Sequence, residues 1–99
     1  MKKALSVFGV ALSLASASAM AWKGQEYASA AKISLDTARS IALKARPGSI
    51  TDEELERESG GSGLRYSFDI KVGHQTYEVG VDAKTGELLE NALEGSNPD

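Results

Sequence analysis

The side chains here that are able to do chemistry are few, and they do not convene. His74 is the only histidine and follows Gly73 in a stretch that reads as a turn. A serine nucleophile would need it beside a Gly-x-Ser-x-Gly elbow, and the chain has none. Asp52, Glu53, Glu54, Glu56 and Glu58 crowd carboxylates into one segment, as a cation site or an acid/base pair would require. Nothing else joins them, and a solvated charged edge is the reading. Paired-carboxylate catalysis also needs a cleft, which so thin a domain rarely offers. Asp82 to Glu87 has the outline of a calcium loop, but Lys84 stands where an alternating carboxylate is needed, so a tight turn is the reading. His-Glu-x-x-His, a phosphate-cradling loop with Lys and Ser/Thr, and Cys/His zinc spacing are all missing from the sequence. The expectation is a protein that is not an enzyme, with no catalytic, metal or cofactor residue to assign.

Composition narrows the class further. The 99 residues make one domain at most. With 11 Lys+Arg against 14 Asp+Glu, the formal charge is −3, which argues against nucleic acid and offers no polybasic handle for anionic lipid. The absence of cysteine removes disulfides, thiolate metal sites, thiol nucleophiles and lipid attachment at a leader cut.

Residues 1–21 read as a cleavable signal peptide. Met1-Lys2-Lys3 is a positive start, the stretch from Ala4 to Ala19 is uncharged and rich in Ala, Leu, Val and Ser, and Ala19-Met20-Ala21 is a small-x-small cut site before Trp22. As a membrane anchor the stretch is short and weakly apolar beside the roughly 20 residues a span needs. Removing it takes away two lysines and no acid, so the balance moves from −3 to −5. The expected location is the periplasm or the medium, with no membrane insertion after cleavage.

The elements that must position any site follow from periodicity. Residues 22–31 read as an N-terminal arm without a clear period. Ile33 to Arg46 predicts a helix: Ser34 as N-cap, Asp36 in the first turn, an apolar stripe of Leu35, Ala38, Ile41, Ala42 and Ala45, and Pro47-Gly48 as the stop. Leu64 to Val72 alternates apolar with polar residues and predicts a half-buried strand. After a turn at Gly73-His74-Gln75, Thr76 to Asp82 predicts a second strand with Tyr77, Val79 and Val81 inward and Gly80 open to a close approach. The Asp82 carboxylate is placed to accept N–H groups across the next corner, and Gly86 supplies its left-handed residue. Glu87 to Asn91 predicts a short strand, and residues 92–99 a flexible tail. Ile50 to Glu58 stays ambiguous on local pattern. Thr51 and Glu54 form a capping box that favours helix, whereas an acidic edge strand fits as well.

Taken in order, Lys32-Ile33-Ser34-Leu35-Asp36-x-Ala38, Pro47-Gly48, Glu54-Leu55-Glu56, Tyr66 to Ile70, Thr76 to Val81 and Asp82-Ala83-Lys84-Thr85-Gly86 resemble the PepSY family. Its members are small α+β domains of peptidase propeptides and of many exported bacterial proteins. The resemblance runs from about Lys32 to Glu90, with the Val81 to Gly86 corner its most specific part, and implies a domain over residues 32–91. Two departures are mild: the Gly/Ser run at 60–63 is longer than usual, and Gly80 replaces a bulkier residue. The implied architecture is one helix packed on a three- to four-stranded antiparallel sheet, with the Glu-Leu-Glu segment as its first strand.

The resemblance implies a non-catalytic binding or regulatory module. With no peptidase following within these 99 residues, it would inhibit or assist a separate exported peptidase in trans. The expected contact surface is the polar face of the second strand (Arg65, Ser67, Asp69, Lys71) or an unpaired strand edge. The alternative is a small envelope protein that binds a ligand or metal ion in a pocket near Tyr66, Tyr77 and Gly80, with no protein target. A third possibility is a domain that self-associates through its edges.

Overall fold

The computed structural model describes residues 22–94; the leader at 1–21 and the last part of the expected tail, 95–99, lie outside the described residues. A 3-10 helix (Gln25–Ala30) precedes helix α1 (Leu35–Ala45), and four strands follow: β1 (Ser49–Arg57), β2 (Leu64–Val72), β3 (Gln75–Asp82) and β4 (Leu88–Leu93). The strands form an antiparallel meander in the order β1-β2-β3-β4, with α1 packed on one face. This is the expected α+β arrangement.

α1 begins where its cap dictates. Ser34 Oγ accepts the N–H of Thr37 at 3.1 Å, and Asp36 sits in the first turn, where negative charge suits the helix dipole. Its small residues let it lie close on the sheet: Ala38 and Ala42 are fully buried, and Ala45 is half-buried. Beneath them the inward faces of β2 and β3 supply Leu64, Tyr66, Phe68, Ile70, Val79 and Val81, all buried. The Tyr66 hydroxyl donates to Ile33 O at 2.8 Å, so its polar end is satisfied where the chain enters the helix.

The ambiguous segment is a strand. Leu55 is buried and lies opposite Tyr66, and pairing with β2 runs from Ser49 to Arg57, with a bulge at Thr51. The capping box loses because a helix here would bury little besides Leu55, whereas the strand pairs along β2 and puts Leu55 into the core beside Tyr66. At the other end of the sheet, β4 reaches Leu93, two residues beyond the predicted strand end. Ala92 lies opposite Glu78 and Leu93 opposite Tyr77, so the ladder with β3 extends into the stretch expected to be tail.

The arm is folded onto the domain. Trp22 packs 6.4 Å from the Tyr66 ring, and the Leu55 N–H donates to Lys23 O at 2.9 Å. Nothing in the period of residues 22–31 signals this docking, because it depends on a tertiary contact with β1.

Candidate functional site

Alternation divides every strand between two faces, and the face of the sheet turned away from α1 collects the ionisable groups. The four expected contact residues share this face on β2 but differ in exposure. Arg65 crosses Gly80, which has no Cβ to obstruct it, and its guanidinium pairs with Glu90 at 3.2 Å with only 11% of the side chain exposed. Its Nε is buried without a hydrogen-bond partner. Ser67 is buried and donates from its hydroxyl to Glu56 Oε2 at 2.7 Å. Asp69 is half-buried, and Lys71 is exposed.

The wider face is acidic, which the choice of those four residues misses. Asp52, Asp69 and Glu78 lie directly opposite one another across β1, β2 and β3. Glu54 and Glu56 on β1, Glu90 on β4 and Glu94 just past its end surround them. Burial pushes the Asp69 carboxyl up, and the charges of Glu94 and Asp52 add to it. Glu78 is also pushed up, first by burial and then by Glu90, Asp69, Glu94 and Glu56. Like charges placed opposite each other in a sheet are destabilising. The alternation of β3 carried the signal for Glu78, since Thr76, Glu78 and Gly80 fall on the same face as Asp69 once the strands pair.

The acidic segment of β1 is split by the pleat. Glu53 points toward α1, where Arg39 grips both its oxygens at 2.9 and 2.8 Å and also reaches Asp36 at 2.7 Å. Asp52, Glu54 and Glu56 belong to the open face. His74 sits exposed in the turn between β2 and β3. Among the described residues, no group of three or more His, Cys, Asp or Glu is arranged to hold a metal ion.

The Asp82 corner is a second concentration of polar contacts, of a different kind. Asp82 is 1% exposed, and its two oxygens accept from Ser62 N at 2.6 Å, Ser62 Oγ at 2.8 Å, Lys84 N at 2.8 Å and Thr85 N at 3.1 Å. Gly86, at φ 83°, closes the turn with its N–H on Asp82 O at 2.9 Å. Burial alone would push the Asp82 carboxyl up. The bonds from Ser62, Lys84 and Thr85 overcome it and bring it down to about 2. The corner binds the 60–63 loop to the β3–β4 turn and leaves no carboxylate oxygen free for a cation.

Arg46 lies 3.8 Å above the Tyr77 ring and donates to Asn91 Oδ1 at 3.1 Å, which fastens the end of α1 to β3 and β4. Among the described residues no helix is long and apolar enough to cross a membrane.

The sequence profile of the PepSY family, described as "Peptidase propeptide and YPEB domain", matches residues 32–91. No curated protein and no solved structure matches the chain.

Proposed function

Because the chain belongs to the PepSY family, we propose that it is a non-catalytic module that binds and regulates a separate exported protein, a peptidase first among the candidates, in trans. The family supports the propeptide-like class. The observation that carries the reading to a surface is the row Asp52, Asp69 and Glu78 on the open sheet face. Three carboxylates in direct register weaken the sheet, and among the described residues no bond gives a structural reason for all three. Charge held at such a cost suits recognition of a cationic surface, where complementarity sets association rate and specificity. Lys71 and the Arg65–Glu90 pair border the same face. In this reading residues 1–21 are the export leader, cut before Trp22, and the protein works in the periplasm or medium.

The test is a titration of the purified protein into peptidase activities from the exporting cell's envelope and medium, with cross-linked capture run in parallel. The expected result is one activity that changes with dose to a stoichiometric end point, and capture of that same peptidase. No responsive activity and no captured partner would overturn the reading. If a partner binds and Glu78→Gln with Lys71→Ala leaves its affinity unchanged, the open face is not the contact.

A further inference from the structure

We infer that the outer edge of β4 docks an extended segment of a partner protein in which apolar residues alternate with Lys or Arg. This rests on the proposed function only in taking the partner to be a protein.

The two edges of the sheet are unequal. The edge of β1 is covered in part: Lys23 forms a parallel bridge with Glu54, and its carbonyl takes the Leu55 N–H at 2.9 Å. A bulge at Thr51 and the charges of Asp52, Glu53, Glu54, Glu56 and Arg57 protect the rest, as edge strands commonly require. Among the described residues, none pairs with the outer side of β4. The Glu94 N–H donates inward to Thr76 O at 2.8 Å, so antiparallel alternation turns the backbone groups of Asn91 and Leu93 outward. β4 contains neither Pro nor Lys, and it exposes Leu88 and Leu93 at 40% and 49%.

The surroundings specify what would add there. On the α1 side, Leu88 lies opposite Val81 and Leu93 opposite Tyr77, leaving apolar area that the next strand would cover. On the open side the flank is Glu90 and Glu94, and behind small Ala92 lies Glu78. A Lys or Arg on an added strand can reach over Ala92 toward Glu78. A second copy of β4 would bring its own Glu90 and Glu94 to the same acidic side, so charge selects against self-pairing and for a basic partner.

The probe is a peptide of about eight residues alternating Lys and Val, the length of one added strand, with a Glu/Val peptide as control. Amide hydrogen exchange is read residue by residue in the purified protein. The Lys/Val peptide is expected to slow exchange at Asn91 and Leu93 about tenfold or more. Its dissociation constant should rise about tenfold between low and high salt, and the Glu/Val peptide should not bind. Ala92→Lys, at an exposed position, should weaken Lys/Val binding about tenfold. Protection on β1, protection nowhere, or equal binding of both peptides would overturn the inference. So would protection of Asn91 and Leu93 that appears without peptide and grows with protein concentration, which would assign the edge to a second copy. Peptide docking at β4 with no responsive peptidase would remove the proposed function and keep this edge. A peptidase still controlled when β4 carries Ala92→Lys would do the reverse.

Discussion

Asp82 and Glu78 lie four residues apart on β3, and burial acts on both carboxyls in the same direction, toward the neutral form. Their outcomes are opposite. Asp82 accepts bonds from Ser62, Lys84 and Thr85 and is held at about 2. Glu78 faces Asp69, Glu90, Glu94 and Glu56 and is held above its ordinary value. The more buried acid is the better satisfied one, and the half-exposed acid is the strained one. Burial therefore does not decide what an acid contributes to this fold; the partners around it do. The corner uses its charge to hold two loops together, whereas the open face keeps charge that weakens the sheet.

The sharpest way to break this contrast is Asp82→Ala. Removing the carboxylate leaves the N–H groups of Ser62, Lys84 and Thr85 without an acceptor, and the loss should be about 3 kcal/mol or more in urea unfolding. A loss below about 1 kcal/mol would mean that water replaces the carboxylate and that the corner is not a structural clamp. Acid should produce the next largest effect. The folded-state value of Asp82 lies below the ordinary 3.8, so its contribution is present above about pH 4 and is lost as pH falls toward 2. A shift to about 2 corresponds to roughly 2 kcal/mol. That loss should be missing in Asp82→Ala.

The corner was legible in the sequence and the acidic face was not, for a physical reason. Asp82, Thr85 and Gly86 are neighbours along the chain, and turn chemistry is local. The acceptance from Ser62, twenty residues earlier, was invisible because it needs the sheet to form first. The same separation hid the row Asp52, Asp69 and Glu78, whose members come from three strands and acquire their register only on pairing. Alternation in β2 and the Ser34 cap were readable, and both stand in the structure. Local rules at Thr51 and Glu54 pointed about equally to helix. There the family resemblance carried information that the propensities of nine residues could not, since burial of Leu55 against Tyr66 depends on a partner strand.

On the open face the sign reverses. Glu78→Gln should stabilise the protein by about 0.5 kcal/mol at neutral pH, a rise of about 2–4 °C in Tm. The folded-state values of Glu78 and Asp69 lie above their ordinary ones. Their favourable contribution is thus fully present in acid, below the ordinary carboxyl range, and is lost as pH rises through the folded values. The gain from Glu78→Gln should accordingly shrink to nothing below about pH 4. Asp69→Asn should behave in the same way. Because each acid raises the strain on the other, the double variant should gain less than the two singles added together. A destabilised Glu78→Gln at neutral pH would show that the carboxylate is held by a favourable contact, and the contrast with Asp82 would fail.

Salt gives the smallest effect and separates the regions without changing their shape. Raising ionic strength from about 0.1 to 1 M shortens the screening length from roughly 10 to 3 Å. Repulsion among the half-exposed acids of the open face should weaken, adding a few tenths of a kcal/mol to stability. The bonds to Asp82 are short and direct and end on a buried carboxylate, so screening should touch them less. General effects of salt on apolar burial act on every variant alike. The informative quantity is therefore the difference in salt response between the natural protein and Asp69→Asn with Glu78→Gln. A response confined to the natural protein places the repulsion on this face. An equal response in both would move it to other charges, such as the exposed acids at the β1 edge, and would take away the reason to regard the open face as strained.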